Sequence, residues 1–474
     1  MKRFKKIYIL LGVLAAACIL TFGAMQIKER KEQIKNSEEI ILEIPADSVE
    51  ALSWEYGAET LAFHKGEVWV YDEDETFPVD EEKISGLLDI FQQFGVSFVI
   101  EEVEDYGQYG LEDPICTIRL TTGEQSYEIL LGDYSSMDSQ RYVSIGDGNV
   151  YLVKQDPLEL YDGPLSELIR HDKIPLFDGA DEIRFTGNEA YTIAYEENST
   201  DTYCKDDVYF TEQDGQKQPL DTSRVDGYLS DISYLNLTDY VTYHASEEEI
   251  KDCGLDAPEL SVEVSYTRED EDGQEVSDTF TLHVSRDPDE KASATDGEAE
   301  DEAENGEDTE EEEVTAYARV GESGILYRIS PEDYKRVMDA SFDSLRHSKV
   351  FTGDFADVTQ IDIALEGVTY TLTSEKKDDE RIFYYQGEQI ESLELRRAIE
   401  GLNADSFTKE QPAGTEEIGL TLYLDNENFP RIEIELYRYD GKDCLAVVNK
   451  EPVSLVERAL VVDLMEVVYG FVLE

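Results

Sequence analysis

Positive charge is scarce in this chain beside its negative charge. Its 474 residues hold 40 Lys and Arg against 109 Asp and Glu, a formal net charge of −69. A phosphate-binding surface needs clustered cations, so this balance argues against nucleic acid as a partner. Cysteine is sparse as well: of five, Cys116, Cys204, Cys253 and Cys444 lie scattered with no close pair. Such spacing describes no disulfide framework. A Cys204–Cys253 bridge is compatible with it but is not expected, and Cys116, between apolar neighbours, reads as a small buried side chain. The five histidines, His64, His171, His244, His283 and His347, never fall at i, i+4 with a glutamate between, so no zinc-binding helix is written here.

Other chemical signatures are missing too. No Gly-x-Ser-x-Gly elbow, Walker loop or Gly-x-Gly-x-x-Gly turn occurs. Calcium is the natural question for so acidic a chain. Around Asp270, Asp272 and Gly273, however, an EF-hand register puts Arg268 and Thr279 where the first and last acidic ligands belong. Carboxylate pairs are too numerous to single out an acid and a base. Trp54 and Trp69 fall in strand patterns, where core packing is the simpler reading than a stacking platform. The sequence therefore nominates no catalytic, cofactor-binding or metal-binding residue, and the expectation is a protein that is not an enzyme and carries no cofactor.

Long apolar runs are absent but for one. Between the basic start (Lys2, Arg3, Lys5, Lys6) and Lys28, the stretch Ile7–Met25 has no charge. As a helix it would span about 28 Å, close to the roughly 30 Å hydrocarbon core. We read residues 1–6 as a cytoplasmic tail, 7–25 as a transmembrane helix and 26–46 as a helical stalk, with the bulk extracytoplasmic. A cleaved signal peptide is the competing reading, although Thr21-Phe22-Gly23-Ala24 is a poor cleavage site. Lipidation at Cys18 is a weaker one, since Ala15-Ala16-Ala17-Cys18 lies inside the apolar run. Lys28, Arg30, Lys31 and Lys35 beyond it leave little charge asymmetry to fix orientation.

What the chain does have is repetition. Ile84, Leu87, Leu88, Phe91 and Phe94 are spaced as one buried helical face, with Asp80 placed to cap it. The pattern recurs at Val225, Tyr228, Leu229, Ile232 and Leu235 behind Asp221. It returns more loosely at Leu395, Ala398, Ile399 and Leu402, where Asp405 ends the face and Glu391 takes the cap. A Gly-Leu-x-x-Pro turn follows the first two helices, in Gly110-Leu111-Glu112-Asp113-Pro114 and Gly254-Leu255-Asp256-Ala257-Pro258. Ile418-Gly419-Leu420 is the candidate remnant in the third copy. The glycine can adopt positive φ and the proline blocks helix, so each reads as a stop before a strand. Period-2 runs such as Leu52-x-Trp54-x-Tyr56, Val262–Tyr266 and Ile432–Leu436 supply strands around these markers. The expectation is α+β: three tandem antiparallel-sheet units at 47–178, 179–347 and 348–474, each with one main amphipathic helix and a short terminal one. Strand order is not readable.

The second unit is lengthened by an insertion at 287–314. The whole of 287–314 is expected to stay disordered, its span Asp296–Glu313 having 12 acidic residues in 18 and no basic one.

The Gly-Leu-x-x-Pro turn, the later Leu131-Gly132-Asp133 and the Tyr142-Val143 to Tyr151-Leu152-Val153 succession resemble the uncharacterised bacterial family catalogued as domain of unknown function 4340. That resemblance implies an envelope protein encoded near an ABC-type transporter, and it supplies no catalytic residues. The expected function is a membrane-anchored extracytoplasmic interaction scaffold, an accessory of an ABC-type transport system. An extracytoplasmic ligand or cation sensor and a carboxylate-based envelope hydrolase are the alternatives.

Overall fold

Apolar and polar residues alternate along most of the chain, and in the computed structural model that alternation becomes three one-sided sheets. The structure describes residues 39–101, 103–270, 272–291, 314–377 and 380–472. The expected cytoplasmic tail and transmembrane helix, and the acidic span of the insertion, lie outside these residues. No helix among the described residues is long and apolar enough to cross a membrane. Two compact units part between His171 and Asp172.

The first unit holds one nine-stranded sheet: β1 (Glu39–Leu42), β2 (Val49–Tyr56), β3 (Glu59–Lys65), β4 (Trp69–Tyr71), β5 (Phe94–Ile100), β6 (Cys116–Thr122), β7 (Ser126–Ser135), β8 (Gln140–Ser144) and β9 (Val150–Val153). Their spatial order is β1-β5-β9-β8-β7-β6-β2-β3-β4, with all neighbours antiparallel. Helix α1 (Glu81–Asp89) carries the chain from β4 at one rim towards β5 near the other, and α2 (Leu158–Tyr161) follows β9.

The second unit holds two more sheets. Sheet two contains β10 (Glu182–Gly187), β11 (Thr192–Tyr195), β12 (Tyr209–Gln213), β13 (Gln216–Pro219), β14 (Tyr240–Thr242), β15 (Leu260–Glu269), β16 (Glu275–Arg286), β17 (Ala316–Val320) and β18 (Leu326–Ile329). Helix α3 (Thr222–Ser233) links β13 to β14, α4 (Glu247–Asp252) precedes β15, and α5 (Pro331–Met338) and α6 (Phe342–Leu345) follow β18. Sheet three contains β19 (Val358–Leu365), β20 (Val368–Lys377), β21 (Glu380–Tyr385), β22 (Glu388–Gln389), β23 (Ala404–Phe407), β24 (Glu416–Leu424), β25 (Arg431–Arg438), β26 (Asp443–Val448) and β27 (Glu451–Glu457). Here α7 (Leu393–Glu400) links β22 to β23, and α8 (Arg458–Val472) follows β27.

One wiring diagram serves all three sheets. The orders β13-β12-β11-β10-β15-β16-β17-β18-β14 and β22-β21-β20-β19-β24-β25-β26-β27-β23 are the same path. A run of hairpins walks to one rim, a helix leads to the opposite rim, and the next strand inserts beside the first. Sheet one follows this path without the fourth outward strand and adds β1 outside β5.

Each sheet buries one face. Ile183 and Phe185 are buried while Arg184 between them is exposed, and Ile432, Ile434 and Leu436 repeat the pattern in sheet three. Ile84, Leu87 and Leu88, Val225, Tyr228, Leu229 and Ile232, and Leu395 and Ile399 are the buried residues of α1, α3 and α7. In sheet three the helical residues join the sheet residues in a single core, together with Val461, Leu464 and Val468 of α8. The opposite faces are polar: Arg119 pairs with Glu55 and Glu128 across β2, β6 and β7, and Arg184 with Glu182 and Glu263 across β10 and β15.

Several expectations need correction. Phe94 and Leu235 are buried as the spacing requires, but they lie beyond the helices, Phe94 opening β5. The N-cap of α7 is Ser392, not Glu391, and its side chain makes no capping bond. Residues 39–46 do not continue a helical stalk. Glu39 and Ile40 pair with Val96 and Gly95, Ile44 is buried, and Pro45 bars a helix from continuing through the stretch. The terminal helix of the third sheet is not short: α8 has 15 residues against 8 in α7.

The turn glycines answer to their motif in two copies of three. Gly110 and Gly254 sit at φ of 70° and 68°, in the left-handed region, each before the strand that inserts beside the first. Gly419, by contrast, lies inside β24 opposite Ala364, so Ile418-Gly419-Leu420 is strand and not a turn remnant. The glycine in the equivalent place is Gly414. An added Cβ there would lie 1.8 Å from the Arg438 carbonyl oxygen at the end of β25, just as one at Gly110 or Gly254 would strike Asp133 or Ser285 on β7 or β16.

The insertion occupies one hairpin. Its first residues, 287–291, are ordered and not disordered as expected: Arg286 of β16 pairs with Ala316 of β17, the Asp287 and Thr315 amides donate to the Thr315 carbonyl and the Glu290 carboxylate, and the Lys291 amide donates to the Asp287 carbonyl. In sheets one and three the matching β7–β8 and β25–β26 turns are short.

Candidate functional site

The residues tested in sequence as sites mostly serve the fold. Asp270 accepts the Asp272 and Gln274 amides, and Gly273 has φ of 73°, so the EF-like stretch is the β15–β16 hairpin turn. Trp54 and Trp69 are core residues of sheet one. Trp54 stacks on Phe63 at 5.6 Å and meets the Tyr161 ring edge-on at 5.2 Å. Cys116 is fully buried, and desolvation pushes its thiol up to about 12. Cys204 and Cys253 are both free, with no bridge between them. His64 makes an exposed pair with Asp72, and His283 contacts the Ser261 hydroxyl at 2.7 Å.

Two clusters of buried charge stand out in the second unit. The first is built on Glu259, directly after the Gly254-Leu255-x-x-Pro258 turn and only 2% exposed. It accepts the Arg286 amide at 2.9 Å, the Arg286 guanidinium at 3.1 Å and the Tyr334 hydroxyl at 2.8 Å, with Lys291 Nζ 3.5 Å away. Burial alone would raise this carboxyl, but the bonds from Arg286 and Tyr334 outweigh it and hold the group below its ordinary value. A carboxylate locked in its ionised form cannot serve as a general acid. It works as a clasp joining the start of β15 to the end of β16 and to α5.

The second cluster was not legible in the sequence. The loop between β11 and β12 turns tightly at Cys204–Asp207, where the Asp207 amide reaches the Cys204 carbonyl at 3.4 Å. His347, two residues past α6, comes to the same place: its Nε2 lies 2.8 Å from Asp207 Oδ1, and its Nδ1 3.5 Å from Asp221 Oδ2. The donor atoms of Cys204, Asp207 and His347 all fall within 4.8 Å of one another. The Asp207 side chain is 1% exposed, and its second oxygen accepts the Thr202 hydroxyl at 2.6 Å.

Local structure holds these parts together around the start of α3. Asp221 caps that helix by accepting the Ser223 amide, and its own amide donates to the Leu345 carbonyl. The Thr222 hydroxyl donates to the Asp206 carbonyl and accepts the Val208 amide. The same loop packs Tyr203 on Phe351 with ring centroids 5.9 Å apart and places Lys205 Nζ 2.7 Å from Asp357.

Burial, and then the Asp207 charge, push the Cys204 thiol up to about 12. Both ring nitrogens of His347 face carboxylates. The trio therefore lacks the activated thiolate of a nucleophilic cysteine. Its chemistry is that of a mixed sulfur, nitrogen and oxygen donor set.

A groove of about 680 Å³ lies elsewhere in the second unit, lined among others by Glu189, Asp343, Phe342, Phe407 and Lys409. Arg346 sits between the Phe342 and Phe407 rings at 4.9 and 4.3 Å, and desolvation lowers its pKa. Burial, then Asp343, raise Glu189.

No curated protein matches this chain. Residues 69–258 match the family model described as domain of unknown function (DUF4340). The matched stretch begins at β4 and ends at Pro258, just ahead of β15, so it runs from inside the first sheet to the corresponding turn of the second. Over those residues the chain resembles the DUF4340 family, the same family that the Gly-Leu-x-x-Pro turn and Leu131-Gly132-Asp133 suggest.

Proposed function

We propose that the protein is a non-catalytic interaction scaffold, anchored in a membrane through Ile7–Met25 with its sheets outside the cytoplasm, and an accessory of an ABC-type transport system. The observation that carries this reading is the threefold recurrence of one nine-stranded sheet with an apolar inner face and a charged outer one. Repetition of a whole sheet multiplies broad, rigid surfaces, which suits docking better than the assembly of one reactive pocket. The uncharged segment Ile7–Met25 supports the anchor, and the family resemblance supports the envelope and transporter context.

Purification of the full chain from membranes in mild detergent tests it. Transporter subunits should co-purify in fixed ratio, and washing at high salt should release them if the charged faces hold them. Recovery of the chain alone in a single monodisperse species would count against the scaffold. A cation-binding role is the second reading, favoured by the Cys204–Asp207–His347 cluster. The hydrolase reading has less support, since the most buried glutamate, Glu259, is held ionised by Arg286.

A further inference from the structure

We propose that Cys204, Asp207 and His347 form a binding site for one zinc-like divalent cation, and that the bound ion clips the β11–β12 loop of sheet two to the segment leading into sheet three. This holds whether or not the protein is a transporter accessory, because it rests on the local geometry alone.

Four observations converge on it. First, the donor types fit: a thiol, a carboxylate and an imidazole are the ligands a borderline-soft d10 cation selects. Second, the donors are already gathered to within about an ångström of the required spacing. Donors about 2.0–2.3 Å from a tetrahedral centre lie roughly 3.3–3.8 Å from one another. Here the His347–Asp207 pair is 2.8 Å apart and the whole trio falls within 4.8 Å. Small adjustments of side chains open the space.

Third, the surroundings are those of a built site. The Thr202 hydroxyl engages Asp207 Oδ2, which leaves Oδ1 to face the cluster. Asp221 stands behind the imidazole, 3.5 Å from Nδ1, in the position from which an outer carboxylate orients a metal-bound histidine. Because Asp221 also caps α3, that helix turns a carboxylate towards the cluster and not bare amides. Fourth, the charges balance. A divalent cation with one thiolate, one carboxylate and a neutral imidazole is neutral overall, which lowers the cost of burying Asp207.

The exchange is simple. As the sulfur–metal bond forms, the Cys204 proton passes to solvent. His347 shifts its proton from Nε2, where it faces Asp207, to Nδ1, where it faces Asp221, and gives the freed Nε2 lone pair to the ion. The contact between Nε2 and Asp207 is replaced by two bonds to the same cation. Only three protein donors are present in the trio, so water completes the coordination. With Cys204 and Asp207 three positions apart on one turn and His347 beyond α6, the ion fixes a loop otherwise tied by Tyr203 on Phe351 and by Lys205 to Asp357.

Cobalt(II) is the probe, because thiolate-to-cobalt charge transfer separates this site from loose binding to surface carboxylates. Titration of the full purified chain, stripped with chelator, should give a near-ultraviolet band that saturates at about one equivalent per chain and is displaced by zinc. Cys204→Ser should abolish the band. Asp221→Asn, which can still cap α3, should weaken binding about 10- to 100-fold while keeping the band. Should Cys204→Ser fail to fold, X-ray absorption at the zinc edge of the wild-type chain decides: one sulfur with nitrogen and oxygen neighbours supports the site. No charge-transfer band at saturating cobalt, a band unchanged in Cys204→Ser, or a zinc shell of oxygen alone would each overturn it.

Discussion

A methyl group at Gly414 would sit 1.8 Å from the Arg438 carbonyl oxygen, inside any van der Waals contact and against backbone that cannot step aside. Gly414→Ala is therefore expected to cost at least about 2 kcal/mol in urea unfolding. Gly441→Ala, whose methyl meets nothing within 4 Å, should stay within about 0.5 kcal/mol. Glu259 tests charge at the same scale. Its folded carboxyl is depressed, so its stabilising effect is present above the unfolded value of about 4.3 and is lost as pH falls through the folded value. Glu259→Gln should cost about 2 kcal/mol or more at pH 7 by leaving Arg286 without its partner. That gap should narrow below about pH 4.3. A gap that widens on acidification would show that Arg286 is not what holds the carboxylate. Single residues also mark the limit of the sequence reading. Gly110 and Gly254 could be read because each sits in a local motif with a proline behind it. Gly414 has no such flank; only a contact with β25 singles it out. Cys204 and His347 meet across most of sheet two, and no local pattern joins them.

The three sheet-linking helices differ in how their first turns are finished, which gives a comparison within one chain. Asp80 accepts the Glu82 and Lys83 amides at 2.9 and 3.3 Å, while Ser392 makes no such bond. Asp80→Ala should destabilise by about 1 kcal/mol and Ser392→Ala by a few tenths at most. Equal losses in thermal unfolding of the two variants would refute the assignment. Element identity was readable for a physical reason. A helix with water on one side must show a 3.6 period, as Ile84, Leu87 and Leu88 do, and a half-buried strand must alternate, as Leu52 and Trp54 do. Strand order was not readable, because alternation says which face is buried and nothing of which neighbour is paired. Short rim strands such as β13, Gln216–Pro219, went unseen for a related reason: with no buried residue, they carry no apolar signal.

At the level of the whole molecule, the described chain forms two compact units, one with a single sheet and one with two. Urea unfolding followed by tyrosine and tryptophan fluorescence should show it. Both tryptophans, Trp54 and Trp69, lie in the first sheet. Tryptophan emission should therefore report the first unit, and far-ultraviolet circular dichroism both. Two midpoints are expected; coincidence of the two signals for all denaturants would mean that the units unfold as one. The sheet count was within reach of the sequence, since the helix and turn markers recur in order. The shared path of the strands was not.

That shared path also sets the order in which a growing chain can finish each sheet. The strand that opens the outward hairpins of every copy waits for its central partner, β2 for β6, β10 for β15 and β19 for β24, until the helix between them has been made. Until then the early hairpins display an oily side with nothing laid over it, and the delay is long because the partners are far apart in sequence. A chain broken off midway through any copy would leave a sticky half-sheet, whereas the released segment up to His171 would be a finished piece.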